Sequence, residues 1–285
     1  MGGFSQTIIN GLLLGGLYAV VGVGMSVLFG IVRLTNLAHG EFIILASYLS
    51  TVFISALGLH PLVTLVLVIP IMFILGFVLQ KTLINRLLPR GTEPPLLVMF
   101  GFSIIIQNVL LQLFTSDARH LRSAFASQSL SVGSLRIPVM MLIDFLIGTV
   151  VILLLNMFMK RTYMGKAIRA ASDDGTGSQL MGVNIKSIYG IAAGIALATA
   201  GIAGVLVGMS YNFYPTTGSN YLIISFGVVV IGGMGSIMGT LASGLIFGLA
   251  QLIGGYFLGT GMQMLSGYVV ILLMLVLRPQ GLFSK

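Results

Sequence analysis

The chain has 285 residues, of which 57% are apolar and 7% are charged, and its mean hydropathy is +1.09. This composition excludes a chain surrounded mainly by water and is typical of an integral membrane protein. The sequence contains no Cys, which excludes disulfides and thiol chemistry. Its net charge of +8 is explained by membrane topology and does not indicate nucleic-acid binding.

Continuous apolar runs predict helices that span a membrane. A helix needs about 20 apolar residues to cross the hydrocarbon core, whereas β-barrel strands alternate apolar and polar residues over about ten-residue segments. We therefore predict an all-α polytopic bundle, with one transmembrane domain over residues 1–285. No Lys or Arg precedes the first run and no cleavage site follows it, so we expect it to remain in the mature protein. The predicted spans are 8–30, 41–58, 62–80, 95–114, 138–159, 188–210, 222–234, 237–257 and 262–277.

The predicted span 222–234 is short for a helix that crosses a bilayer. A Gly-rich run, GGMGSIMG, follows its core, and such a turn would permit a re-entrant or broken helix within 222–257. We therefore expect either eight or nine spans.

Basic residues predict the orientation of the spans. Short cytoplasmic loops retain Lys and Arg, and three basic clusters fall on one side if the spans alternate. They lie in 81–90, in 160–186, and at Arg278 with Lys285. We assign that side to the cytoplasm and predict a multi-pass membrane protein. The exceptions, on the opposite side, are Arg119, Arg122 and Arg136.

Residues 160–187, called the basic segment below, form the longest polar stretch between two apolar runs. The segment reads KRTYMGKAIRAASDDGTGSQLMGVNIK from position 160 to 186 and holds five of the fourteen Lys and Arg residues. A segment this charged lies in water, so we expect it to contact a soluble partner.

Glycines four residues apart recur along the apolar runs. Such pairs let helix backbones approach closely, and close packing alone is sufficient to explain them. Their density also suggests a compact, movable bundle. The pairs are Gly11 and Gly15, Gly190 and Gly194, Gly204 and Gly208, Gly235 and Gly239, Gly244 and Gly248, and Gly255 and Gly259.

Ionisable residues near lipid are costly and are therefore candidates for function. The sequence offers Arg33, His39, Glu41 and Asp144. His39 and Glu41 would point to different faces of a helix because they are two residues apart, so they do not predict a metal site. With Asn36 they could cap a helix break, with the Glu41 carboxylate near a helix N-terminus, or they could line a transport pathway. Both interpretations remain open.

The sequence shows no enzyme motif. It lacks HExxH, a GxSxG in strand–turn–helix context and a phosphate-binding GxxxxGK. The GGMGS run at 232–236 has no following Lys and lies among apolar residues, so it does not predict a nucleotide site.

Four stretches resemble the LivH-like permeases of bacterial ABC importers for branched-chain amino acids. NGLLLGGLYAVVGVGMSVLFGIVRLTNLAHGEF is similar to the family's first span and its N-x-A-H-G-E signature at 36–41. MGKAIRA and LMGVN resemble its cytoplasmic coupling loop, and VVVIGGMGSIMGTLASGLIFGLAQ resembles its penultimate region. LRPQGLF at 277–283 is similar to its C-terminal end. The resemblance covers nearly the whole chain.

The resemblance implies a non-catalytic subunit that forms half of a transmembrane pathway. A related LivM-like permease would form the other half, two cytoplasmic ABC ATPases would hold ATP and Mg, and a substrate-binding protein would deliver the substrate. No cofactor is expected on this chain and no nucleic-acid partner.

Relatives of this family carry branched-chain amino acids, urea, short amides or aromatic carboxylates. The candidate polar residues of the pathway are Asn36, His39, Glu41, Gln107, Asn108 and Gln251. Each of them could instead form an interhelical hydrogen bond.

The resemblance also implies that a short helix around 173–182 docks in a groove of the ATPase. Lys166 and Arg169 could pair with acidic groups there, or they could anchor at anionic lipid headgroups. The residues assigned to coupling are Lys166, Arg169, Asp173, Asp174, Gln179, Leu180 and Gly182.

The basic segment departs from the importer pattern at its centre. Coupling loops of ABC importers commonly read E-A-A with a Gly six positions after the Glu, whereas this chain has Thr176, Gly177 and Ser178 with Gly182 kept. Gly175 and Gly177 each lower helix propensity by about 1 kcal/mol relative to Ala. We therefore expect the coupling helix to begin later or to depend on its partner for order.

Two other classes compete with the importer. An ion-coupled secondary transporter would use the 222–257 region, although the scarcity of membrane acids argues against a charged ion site. A structural scaffold would explain neither the basic segment nor the 36–41 motif.

Overall fold

The computed structural model describes residues 2–32, 35–123, 125, 128–133 and 135–283. Within these residues nine helical segments are long and apolar enough to cross a membrane, which confirms the predicted all-α polytopic bundle. The helices are α1 Gly2–Val32, α2 His39–Leu57, α3 Pro61–Leu79, α4 Asn85–Leu87, α5 Glu93–Phe114, α6 Val139–Arg161, α7 Tyr163–Asp173, α8 Gly175–Leu180, α9 Ile185–Ser210, α10 Gly218–Gly232, α11 Ile237–Leu258 and α12 Gln263–Leu277, and the strands are β1 Ser129–Val132 and β2 Leu135–Pro138.

The seventh span is a separate short helix. Helix α10 begins four residues before the predicted start and follows a 3₁₀ turn, Pro215–Thr217. Its 15 residues extend for about 22 Å, less than the roughly 30 Å of a hydrocarbon core. It ends where Gly233 and Gly235 adopt positive φ angles of 93° and 85°. Helices α10 and α11 are therefore joined by the tight turn 233–236.

Two local features differ from the predicted elements. Helix α3 continues through a π-helical turn, Gln80–Ile84, so the basic residues after the third span are helical. Strands β1 and β2 pair as an antiparallel hairpin within the Ser-rich stretch, with Ser131 opposite Arg136. No strand was predicted there because the stretch has no clear alternation of apolar and polar residues.

Helices α1 and α9 form the centre of the bundle. In α1, 89% of the apolar stretch is buried, and in α9 83% is buried, whereas 11% is buried in α5. Helix α1 packs against α6, α9, α10 and α11, and α9 packs against α2 and α3. The remaining apolar surface faces outward, as expected for contact with lipid or with another membrane subunit.

Glycines hold α1 and α11 in direct backbone contact. Gly15 packs on Gly244, and a Cβ atom at Gly15 would lie 2.5 Å from the Cα atom of Leu245. Gly11 packs on Gly248 in the same way one turn away. Two of the predicted glycine pairs therefore face each other. Gly259 differs, since it ends α11 at a φ of 94° with open space around it.

The two groups of basic residues lie at opposite ends of α1. Near its C-terminal end, the Ser172 hydroxyl of the basic segment donates to the Gly30 carbonyl. Near its N-terminal end, the backbone N–H of Arg136 donates to Gln6 Oε1 over 2.8 Å. Because 31 helical residues span about 46 Å, these ends are as far apart as two membrane surfaces.

Gly15→Ala should destabilise the bundle by about 1–3 kcal/mol, because the added methyl group meets backbone rather than a movable side chain. The matched control is Gly101→Ala in α5, where an added Cβ has no heavy atom within 4 Å. It should leave stability unchanged or raise it slightly. Thermal unfolding of the two purified variants in detergent measures the difference, and equal melting temperatures would contradict the packing argument.

Candidate functional site

Helix α2 begins inside the bundle and not at its end. The His39 ring, in the first residue of α2, places Nε2 3.0 Å from the Val21 carbonyl oxygen in α1. Val21 lies 11 residues before the end of α1, which corresponds to about 16 Å along the helix. The chain therefore returns into the bundle before α2 starts, and the N-terminus of α2 lies at membrane depth.

Buried polar groups lie around this helix start. The Val21 carbonyl contacts both His39 and Ser225, and Glu41 lies two residues further along α2, against the start of α10; together these four groups are called the interior polar cluster below. Since a carbonyl only accepts, His39 Nε2 carries a proton, and in the neutral ring Nδ1 is an acceptor. Ser225 Oγ lies 3.1 Å from the Val21 oxygen and 2.6 Å from the Tyr221 oxygen. Both His39 and Ser225 are fully buried. The cluster joins α1, α2 and α10.

The Glu41 carboxylate lies at the N-terminal ends of two helices. Glu41 is in the first turn of α2, and its carboxylate packs against Gly218, the first residue of α10. Gly40 in turn packs on the Gly218 carbonyl, and a side chain at either glycine would overlap its neighbour. The positive ends of both helix dipoles favour a negative charge here.

Two acceptors of the cluster are unused. His39 Nδ1 and Glu41 Oε2 are buried without a hydrogen-bond partner among the described residues. Buried polar atoms normally have partners, because an unsatisfied group costs about 1–3 kcal/mol. The arrangement can therefore accept hydrogen bonds from a donor that enters the bundle.

Asn36 forms a turn immediately before α2. Its Oδ1 accepts from the backbone N–H of Ala38 over 3.0 Å, and its carbonyl accepts from the backbone N–H of His39 over 3.1 Å. These bonds satisfy two backbone N–H groups where α2 begins. Asn36 also lines a small apolar cavity beside Gln80.

Gln251 and Asp144 form interhelical hydrogen bonds. The Tyr18 hydroxyl, one turn before Val21, donates to Gln251 Oε1 over 2.7 Å and joins α1 to α11. Ser210 Oγ donates to Asp144 Oδ2 over 2.5 Å and joins α9 to α6. Asp144 Oδ1 has no partner within the described part of the chain. Both side chains are 2% exposed.

The remaining predicted pathway residues lie elsewhere. Gln107 is half-buried and Asn108 is exposed on α5, where Asn108 Nδ2 donates to the Ile104 carbonyl of its own helix. The structure does not bring them to the interior polar cluster. Arg33 lies outside the described residues.

The basic segment folds into two helices with side-chain caps. Thr162 Oγ1 accepts from the Gly165 N–H at the start of α7, and Asp174 Oδ1 accepts from the Gly177 N–H at the start of α8. Gly182, at a φ of 83°, follows α8. Helix α8 thus begins at Gly175 and not later, because an N-cap carboxylate contributes about 1 kcal/mol and offsets a glycine.

Gly177 lies directly against the carboxylate that caps α8. A Cβ atom there would lie 2.5 Å from Asp174 Oδ2. At position 177, the residue that departs from the E-A-A pattern is therefore in contact with the cap.

The residues assigned to coupling lie on two surfaces, apart from Asp174, which caps α8. Gln179, Leu180 and Gly182, together with Met181, form the α8 tip, where Leu180 is 84% exposed and Met181 85%. Lys166, Arg169 and Asp173 instead line a groove between α7 and the ends of α1 and α6.

Sequence reasoning missed a link between the basic segment and the turn of helix that follows α3. Gln80 Nε2 donates to Asn85 Oδ1 over 3.1 Å, and Asn85 Nδ2 donates to the Lys186 carbonyl over 2.9 Å. The signal available was two amides five residues apart at the end of the third span. Ser225 and the Val21 carbonyl were also missed, because single hydroxyls and backbone groups give no signal in an apolar run.

Asp174→Ala should destabilise α8 by about 1 kcal/mol, since it removes the N-cap acceptor. Hydrogen exchange of amides 175–180 should become about fivefold faster. The matched control is Asp173→Ala, which removes an adjacent exposed carboxylate without touching the cap. Equal exchange rates in both variants would exclude the cap as the stabilising contact.

Comparison with known proteins places this fold in a transport family. The family model described as "Branched-chain amino acid transport system / permease component" matches residues 7–278. The high-affinity branched-chain amino acid transport system permease protein BraD of Pseudomonas aeruginosa is 28% identical, over 99% of this chain and 96% of the relative. LivH of Escherichia coli K12 is 29% identical over the same shares.

A relative with a different printed name also matches. The fructose import permease protein FrcC of Rhizobium meliloti is 28% identical, over 83% of this chain and 68% of the relative. No solved structure matches the chain. Because the family model covers nearly the whole chain, this protein belongs to the family of permease components of branched-chain amino acid transport systems.

Proposed function

We propose that this chain is the LivH-like permease subunit of an ATP-driven importer and forms half of a pathway for branched-chain amino acids. The observation that carries the proposal is the family match over residues 7–278. BraD and LivH, each matched over nearly their full length, carry branched-chain amino acid transport in their names. The chain would work in the bacterial inner membrane with a related permease, two ATPases and a substrate-binding protein.

The α8 tip is the proposed docking site for an ATPase. Leu180 and Met181 are adjacent apolar side chains, almost fully exposed, in a segment flanked by Asp174 and Lys186. Burying each against a partner would contribute about 1.5–3 kcal/mol. The Ser172–Gly30 and Asn85–Lys186 hydrogen bonds tie the segment to α1 and to the end of α3. Closure of an ATPase pair, with ATP and Mg on the partners, would thereby move membrane helices.

The interior polar cluster is the proposed contact for the substrate ammonium group. Its two unused atoms, His39 Nδ1 and Glu41 Oε2, are both acceptors, and an ammonium group has only donors. Helices that begin inside a membrane bundle are a recurrent way to build substrate sites in transporters. A sugar has no ammonium group, so this cluster favours an amino acid over fructose.

The proposed function predicts ATP-dependent uptake of leucine, isoleucine and valine. The assay reconstitutes this chain with the subunits encoded beside it and adds labelled fructose and urea as alternative substrates.

Replacing both tip residues, Leu180→Asp and Met181→Asp, should lower uptake more than tenfold, because charges at the tip oppose apolar docking. Thr176→Asp, an exposed position on the same helix, is the matched control.

Two results would contradict this function. Uptake that follows a proton or sodium gradient without ATP would support a secondary transporter, and normal uptake by the double variant would exclude the α8 tip.

Glu41→Gln should lower leucine uptake about tenfold or more, because it replaces the carboxylate acceptor of an ammonium hydrogen bond, which contributes about 1.5–3 kcal/mol, by an uncharged amide oxygen. Asp144→Asn, which neutralises another buried membrane carboxylate outside the cluster, should have a smaller effect. Initial uptake rates, normalised to assembled complex, measure both. Equal losses in the two variants would indicate a general cost of altering buried carboxylates.

A further inference from the structure

A basic groove lies at the end of the bundle that carries the basic segment. Its volume is about 660 Å³, and it is bounded by the C-terminal ends of α1 and α6, one face of α7 and the turn before α11. Three cationic side chains, Lys160, Lys166 and Arg169, and one carboxylate, Asp173, line it. The groove therefore has a net charge of +2 from these four groups.

The groove combines a charged rim with apolar walls. Lys160 is the second-last residue of α6, at the point where a membrane span meets water. The groove is also lined by Val27 of α1, Met159 of α6 and Ile237 of α11, which belong to the candidate spans themselves. A ligand that fills the groove would thus contact both cations and hydrocarbon side chains.

The cations belong to the groove and not to the α8 tip. Lys166, Arg169 and Asp173 are three and four residues apart and share one face of α7, whereas the opposite face buries Ile168 and Ala171. Both basic side chains are exposed and free to turn toward a ligand in the groove.

We propose that the basic groove binds an anionic phospholipid of the surrounding leaflet. The lipid phosphate would lie among Lys160, Lys166 and Arg169, and an acyl chain would follow Val27, Met159 and Ile237. Basic pockets between membrane helices on the cytoplasmic side bind lipid headgroups of this kind. An acidic protein segment or a free phosphate would use the cations but would have no need of walls built from membrane spans.

Binding at this site would hold the basic segment against α1. Helix α7 already contacts α1 through the Ser172–Gly30 hydrogen bond, and the lipid phosphate would add a second link between α7 and the end of α6.

The test measures the affinity of the full-length chain, purified in detergent with its co-purifying subunits, for dioctanoyl phosphatidylglycerol by native mass spectrometry. The double variant Lys166→Gln and Arg169→Gln should bind about 25-fold more weakly, since each basic residue near an anionic surface contributes about a factor of five. Asp173→Asn should bind up to about fivefold more tightly, because it removes a carboxylate from the groove lining. The matched control, Arg161→Gln, adjoins Lys160 but does not line the groove and should bind normally.

Four outcomes would overturn the proposal. Unchanged affinity of the double variant would exclude the cations, and equal binding of dioctanoyl phosphatidylcholine would exclude recognition of the anionic headgroup. Equal competition by glycerol 1-phosphate would assign the groove to a soluble phosphate. Loss of ATPase subunits from the double variant, with phosphatidylglycerol bound as before, would assign Lys166 and Arg169 to a protein contact.

Discussion

The interior of this bundle depends on the backbone contact between Gly40 and Gly218. Only because both residues lack a side chain can α2 and α10 begin side by side within the membrane. That contact places the Glu41 carboxylate against the start of α10 and brings Ser225 near the same Val21 carbonyl as His39. Polar atoms are thus collected at a depth where an apolar bundle would otherwise have none, and the backbone groups that helix starts expose are partly satisfied there.

The sequence predicted the helices well because continuous apolar runs depend on composition alone. It could not predict that α2 starts about 16 Å back along α1, since that return is decided by contacts of His39 with a backbone carbonyl distant in sequence. The cost of ionisable groups in lipid identified His39 and Glu41, whereas the wider choice of polar pathway residues also included Gln107 and Asn108, which lie on the outward-facing α5. A buried amide costs little free energy in a membrane when it forms an interhelical hydrogen bond. The presence of an amide therefore does not distinguish a pathway residue from an ordinary packing contact.

The basic segment shows why charge alone assigns residues incompletely. In sequence, Lys166, Arg169 and Leu180 belong to one polar stretch with one expected partner. In the fold, the helical period of α7 turns its cations toward the ends of α1 and α6, while the break at Asp174 sends α8 away as an apolar tip. A single loop therefore presents two surfaces of different chemistry, and the division depends on a helix boundary that propensity values place too late.

The cap of α8 couples positions 174 and 177. Because the Asp174 carboxylate lies in the space that a Cβ atom at position 177 would need, Ala at 177 requires that movable side chain to shift. Ala at 177 would gain about 1 kcal/mol of helix propensity over Gly and lose part of that gain through the shifted cap. The free energies of substitutions at the two positions therefore do not add, and a segment that changes one of them alters what the other contributes.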